Sequence, residues 1–197
     1  STQGYSSAAS DVYKRQILRD HKGLQNTDLG LANEMAINQF IAHHSVIFQP
    51  EKRLMWVSTS PWQCGKYVAY DLNKIFKDTI DWQHEIYSSD LTIPEDKFID
   101  TPEFQHLLTY KKLTPLLLKK IRKKEQIEES VLKTYQASNP SLYYVYEVIG
   151  DYYEAMQQSK QAIAYWQQAL KKSIPKLQEK ERIQQKIQKQ SKDGKES

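Results

Sequence analysis

The sequence predicts an α+β fold, with an antiparallel β region in the first half and a helical region in the second. Three observations predict it. Apolar residues alternate from Gln39 to Phe48, run through Leu54–Ser58, and return at Lys66–Asp71. After Leu91 the period becomes helical, and the start signals Thr101-Pro102, Thr114-Pro115 and Asn139-Pro140 each precede an apolar stripe. Glycine is scarce, 6 of 197 residues, which disfavours a turn-rich all-β barrel.

Composition narrows the classes. Hydrophobic residues make up 39%, charged residues 26% and aromatics 11%, with a mean hydropathy of -0.74. That is polar but too aromatic for a disordered chain. A single cysteine excludes an internal disulfide framework and a Cys-rich zinc site. No apolar run approaches the ~20 residues of a membrane span. The net charge is +4. Residues 111–124 hold seven basic and no acidic side chains, and residues 176–197 hold seven basic and four acidic. The rest of the chain is therefore acidic, and any anion-binding role falls to those two segments.

Residues 1–16 are small, polar and aperiodic, and 6–16 resemble translated adapter sequence; they read as a non-native or disordered leader. Ser1-Thr2-Gln3-Gly4 has neither an initiator Met nor a signal pattern, so the chain reads as a piece of a larger protein. Residues 17–90 form the β region. In Gln39–Phe48, one face holds Phe40, Ala42, His44, Val46 and Phe48, the other Ile41, His43, Ser45 and Ile47. A strand apolar on both faces belongs to an inner sheet covered on both sides. Gln49-Pro50-Glu51-Lys52-Arg53 then turns into Leu54–Ser58 as an antiparallel hairpin. Ser58–Gly65 is a loop, and Lys66–Asp71 a further strand.

Residues 91–138 read as connecting helices. Thr101-Pro102-Glu103 opens the first, and Thr114-Pro115 opens a second running to about Gln136. Residues 139–191 carry helices from about Asn139 to Met156, Lys160 to Lys172 and Pro175 to Gln190, and 192–197 are a tail. Within them Tyr146, Ile149, Gly150, Tyr153, Ala162, Trp166 and Ala169 follow a large-small-large spacing. The spacing resembles a tetratricopeptide repeat, in which the small residues let two helices approach. One such hairpin with a capping helix is too short for a free array, so it leans on neighbouring structure.

Ile17-Leu18-Arg19-Asp20-His21, then Ala42-His43-His44-Ser45-Val46-Ile47-Phe48, Pro50-Glu51, Leu54, Trp56-Val57-Ser58 and Pro61 occur in an order that resembles another family. The run is similar to the C-terminal part of penicillin-acyltransferase-like N-terminal-nucleophile hydrolases, relatives of choloylglycine hydrolase. Bacterial members also resemble Tyr67–Phe76 and the helical tail. The resemblance implies the C-terminal portion of an αββα sandwich. It also implies a mature N-terminal Cys whose own amine activates it against an amide or thioester carbonyl. No cofactor is implied. That Cys belongs to the family's N-terminal half, so the nucleophile is expected to be absent and this chain inactive alone.

Cys64 lies internally in Trp62-Gln63-Cys64-Gly65 and has no α-amine beside it, which favours a structural thiol. The resemblance makes Asp20, His21, Asn33, Asn38, His43 and His44 candidates for shaping the cleft. Asp20 and His21 match an Arg-Asp-His turn, where shaping the site and local capping are both open. Asn33 or Asn38 is a candidate oxyanion donor, and spacing selects neither. In a regular strand His43 and His44 face opposite ways and cannot share a metal; a hydrogen-bonded core position is the commoner fate of each. No metal site is expected.

Lys119, Lys120, Arg122, Lys123 and Lys124 read as a solvated helix face, given Glu125, Glu128 and Glu129 just beyond. Tyr143, Tyr144, Tyr146, Tyr152 and Tyr153 read as packing. Nucleic acid is not an expected partner, because no aromatic-interleaved basic surface accompanies the charge. The leading expectation is part of an amide hydrolase or acyltransferase with an acyl-amide or acyl-thioester substrate, completed by the missing N-terminal half of its domain. The alternative is a tetratricopeptide-like module that binds a peptide or protein without catalysis. A basic anion-binding protein is the third. The compartment stays open.

Overall fold

The computed structural model describes residues 7–77 and 86–193. The fold is α+β, with a four-stranded antiparallel sheet and seven α-helices among the described residues. Two compact units form: a sheet unit, Ser1–His21 with Ile37–Thr101, and a helical unit, Lys22–Ala36 with Pro102–Ser197. The chain thus crosses between units earlier than a single β region over 17–90 implies. Residues 1–6 of the expected leader, 78–85 of the β region and 194–197 of the tail lie outside the described residues.

In the sheet unit, β1 (Val46–Gln49), β2 (Leu54–Ser58), β3 (Tyr67–Asp71) and β4 (Ser88–Ile93) lie side by side in chain order. The expected hairpin is present. Pro50–Lys52 makes one tight turn, and left-handed Arg53 (φ 55°) closes it with an N–H bond of 3.0 Å to the Pro50 carbonyl. The register pairs Ile47 with Trp56 and Trp56 with Ala69. These three and Tyr67 form the buried face, against which Leu18, Leu54 and Ile93 pack. Pairing also lines up Val46, Val57 and Val68 in one row and Phe48, Met55 and Tyr70 in the next on the opposite face. There Val46 is 42% and Phe48 56% exposed.

That pattern corrects the two-sided strand expected over Gln39–Phe48. Strand pairing begins only at Val46. Asn38 captures the Phe40 N–H with its side-chain carbonyl at 3.0 Å, and Phe40 turns left-handed at φ 52°. An Asx-type bond of this kind competes with a strand ladder, so the segment before Val46 is irregular. The other end of the expectation also shifts. A helix α1, Ser7–Arg19, occupies most of the expected leader and the start of the β region. β4 was not expected, because Ser88-Ser89-Asp90 opens it with no apolar alternation. A single turn of helix α2, Leu72–Ile75, follows β3 and is capped by Asp71, which accepts from the Asn73 N–H at 2.9 Å.

The helical unit contains α3 (Pro102–Arg122), α4 (Glu129–Ser138), α5 (Tyr143–Ala155), α6 (Ser159–Leu170) and α7 (Leu177–Asp193). Pro102 begins α3 as expected, but Pro115 does not start a second helix; it sits inside α3. Thr114 donates its hydroxyl to the Tyr110 carbonyl at 2.7 Å in the turn before it. The break comes instead at left-handed Lys124 (φ 54°). Segment Lys22–Ala36 is fastened to the α4–α5 turn. Asn139 donates to the Leu31 carbonyl at 2.7 Å and accepts the Leu31 N–H at 3.1 Å. Gly30, at φ 79°, lies so close to the Leu142 backbone that a Cβ there would overlap it.

α5 and α6 pack as a pair. Ile149, Ala162, Trp166 and Ala169 are fully buried, Tyr146 nearly so, and a Cβ on Gly150 would overlap the Trp166 indole. Tyr153 lies nearer the surface, stacked on Tyr165 with ring centroids 5.4 Å apart. α7 is held from beneath by charge. Glu147, 2% exposed, receives Arg182 through two bonds of 3.0 and 2.9 Å and Lys186 at 2.9 Å. Lys186 also reaches Asp151 at 2.7 Å, and Asp151 accepts the Trp166 indole N–H at 2.9 Å.

Candidate functional site

The loop Thr59–Gly65, between β2 and β3, is the part of the sheet unit where expected site residues converge. Its backbone turns on itself: the Thr59 N–H bonds the Lys66 carbonyl at 2.7 Å and the Cys64 N–H the Pro61 carbonyl at 3.0 Å. Gly65 lies against the Thr59 and Ser60 carbonyls, where a Cβ would not fit. Such folding leaves several carbonyls pointing inward, and a buried carbonyl needs a donor.

Arg19, at the end of α1, is that donor. Its guanidinium gives bonds to the carbonyls of Gln63 (3.2 Å), Gly65 (2.8 Å) and Pro94 (3.2 Å), with Cys64 at 3.4 Å. It lies 3.5 Å from an Asp96 carboxylate oxygen and 5.4 Å from the centroid of the Tyr67 ring. Burial lowers its pKa, and the Asp96 charge works the other way. Asp96 also binds the loop through its own N–H, which donates to the Cys64 carbonyl at 2.7 Å.

Cys64 is 1% exposed. Asn38, itself buried, donates from Nδ2 to its Sγ at 3.7 Å. Burial, helped by the Asp96 charge, pushes the thiol pKa up to about 11, and the Asn38 bond and Arg19 only partly offset this. A thiol so placed is protonated at neutral pH and out of reach, the opposite of a nucleophile. The structural reading of Cys64 rests on this geometry.

Asn38 and the 20–21 turn come together. The Asn38 N–H donates to the Asp20 carbonyl at 2.7 Å. The His21 ring lies 4.7 Å from Phe98 and 5.8 Å from Phe40, and Phe40 meets Trp62 edge-on at 6.3 Å. His21 is thus a member of an aromatic cluster beneath the loop. Both ends of the Asn38 side chain are in use, one on Cys64 and one on the Phe40 N–H, so neither is directed outward as an oxyanion donor. Asn33 belongs to the helical unit, where its Nδ2 donates to the Leu29 and Ser173 carbonyls, each at 3.0 Å, and its Oδ1 accepts the Met35 N–H.

His43 and His44 depart from expectation. They lie ahead of β1 in irregular chain, both exposed, and line one cavity of about 380 Å³ with Ser60, Pro61 and Trp62. His44 Nδ1 is 3.3 Å from the Ser58 carbonyl. A carbonyl only accepts, so His44 Nδ1 is the donor in that bond. The cavity is thus lined by two imidazoles and by Ser60, with no thiol among its lining residues. Among the described residues no group of three or more His, Cys, Asp or Glu is placed to hold a metal. Among the described residues no helix is long and apolar enough to cross a membrane.

Sequence reasoning missed Arg19, Asp96 and Phe98 as site-builders. Arg19 sat within the matched Ile17–His21 stretch, but its partners are carbonyls, which no side-chain pattern reveals. Compared with known protein families, curated proteins and solved structures, the chain matches none.

Proposed function

We propose that the sheet unit is the C-terminal part of a Cys-dependent N-terminal-nucleophile hydrolase or acyltransferase, penicillin-acyltransferase-like and related to choloylglycine hydrolase. It acts on linear amides or acyl-thioesters, and its nucleophile lies outside these residues. The observation that carries this reading is the apolar outer face of the sheet, with Val46 and Phe48 exposed beside Met55, Val57, Val68 and Tyr70. A second sheet laid on that face makes the middle of an αββα sandwich. The buried state of Cys64 agrees with a nucleophile supplied from elsewhere. In the assembled enzyme, the loop pinned by Arg19 shapes the cleft, and His43 and His44 line its wall.

Expression of a reading frame extended upstream tests this. The expected protein processes itself to a new N-terminal Cys and turns over a penicillin, a bile-acid amide or an acyl-coenzyme A. Replacing that Cys by Ala abolishes turnover. An upstream region made only of further helix pairs overturns the reading.

A second reading places the function in the helical unit alone, as a tetratricopeptide-like module that binds a peptide. The contact of Gly150 with the Trp166 ring favours it, since that close approach is how such hairpins pack.

A further inference from the structure

Where α3 gives way to α4, the helical unit forms a half-open cavity of about 460 Å³, within the range of ~300–1,000 Å³ usual for small-ligand sites. Its walls are apolar: Leu113, Leu116 and Leu117 from α3, Ile127 from the connection and Val131 from α4. Leu116 is 50% exposed, a large apolar side chain left facing solvent at the mouth. Lys119, Lys120 and Lys123 stand on the rim. Glu125 occupies Lys123 at 3.6 Å, and Glu128, on the other lip, accepts the Ser130 hydroxyl at 3.3 Å. No bond or ion pair ties the Lys119 and Lys120 ammonium groups to a protein partner among the described residues. The surrounding stretch 111–124 adds no acid to balance them.

We propose that this cavity binds a single-chain anionic amphiphile, its alkyl chain against the leucines and its carboxylate at Lys119 and Lys120. An apolar pocket with convergent cationic donors selects a chain with one negative end and rejects the same chain with a positive one. Its size suits one chain; a docked protein helix needs a contact nearer ~800 Å² per partner. The proposal is independent of the reading given for the sheet unit.

The test uses the full chain and the fluorescent probe 11-(dansylamino)undecanoate in 0.1 M salt, below micelle formation. Probe emission is expected to rise on binding and to be displaced by decanoate, more weakly by decanol, and not by decyltrimethylammonium. Across hexanoate to dodecanoate, each methylene is expected to tighten binding about three- to fourfold until the cavity is full. Exchanging both lysines (Lys119→Glu with Lys120→Glu) is expected to weaken decanoate about tenfold and leave decanol unchanged. Leu116→Asp at the exposed mouth is expected to weaken both, with circular dichroism unaltered. Equal binding of the cationic amphiphile, insensitivity to both variants, no probe binding, or binding only of an acidic amphipathic peptide overturns the proposal.

Discussion

The Asn38 side-chain amide donates to the Cys64 thiol at 3.7 Å, and both residues are about 1% exposed. The same amide accepts the Phe40 N–H through its oxygen at 3.0 Å. One side chain thus fixes the left-handed turn that interrupts the expected strand and closes the thiol off from solvent. The sheet unit is organised around that polar bracket and the Arg19 guanidinium, which together hold the loop carbonyls in place.

Arg19 is expected to be the most sensitive residue of the loop. Arg19→Met leaves the Gln63, Gly65 and Pro94 carbonyls without their donor and the Asp96 carboxylate without its counter-charge. The expected loss is about 2–4 kcal/mol. Arg19→Lys is expected to recover little, because an ammonium cannot fork across three carbonyls. Urea unfolding, with amide exchange read at Gln63, Cys64 and Gly65, checks both.

Gly150→Ala is expected to destabilise the α5–α6 pair by about 1–3 kcal/mol, because the added methyl meets the Trp166 indole. Trp166→Phe makes room but leaves Asp151 without the indole donor. A double-mutant cycle is therefore expected to give a coupling energy of at least ~0.5 kcal/mol, the double variant losing less than the two singles combined. Additive losses would mean that the two residues do not press on each other.

Glu147→Gln removes the charge that Arg182 and Lys186 share beneath α7. The expected cost is about 2–3 kcal/mol, below the usual figure for breaking a buried pair because Arg182 is half exposed and regains water. Thermal melts in low and high salt check this. The buried carboxylate predicts a loss that changes little with salt, since screening barely reaches it.

Some of this structure was legible in the sequence, and the rest was hidden for identifiable reasons. The β1–β2 hairpin was readable because Pro50 punctuates two apolar runs. The close approach at Gly150 and Trp166 was readable because helix packing imposes a spacing on small and large residues. A non-nucleophilic Cys64 was expected from simple chemistry, an internal thiol with no amine beside it, and its burial agrees with that expectation. Phe40 was misread because a bond from the Asn38 side chain overrode a clean alternation. β4 was missed because pairing with β3, not its own Ser88-Ser89-Asp90 opening, makes it a strand. The shared cavity of His43 and His44 was missed because the two were placed on opposite faces of a strand that begins only at Val46.

The claim that this chain does not carry its own nucleophile is tested most directly by the pH dependence of Cys64 alkylation. The folded chain, treated with iodoacetamide from pH 6 to 11.5, should be compared with the same chain in urea. A thiol raised to about 11 is held neutral by the fold, so its reactivity grows only as pH climbs toward that value. The expected result is slow labelling through neutral pH, a rise only above about pH 10, and fast labelling near pH 8.5 once unfolded. Rapid labelling of the folded chain at pH 7, with a midpoint at or below 8.5, would contradict the account and return Cys64 to the reaction.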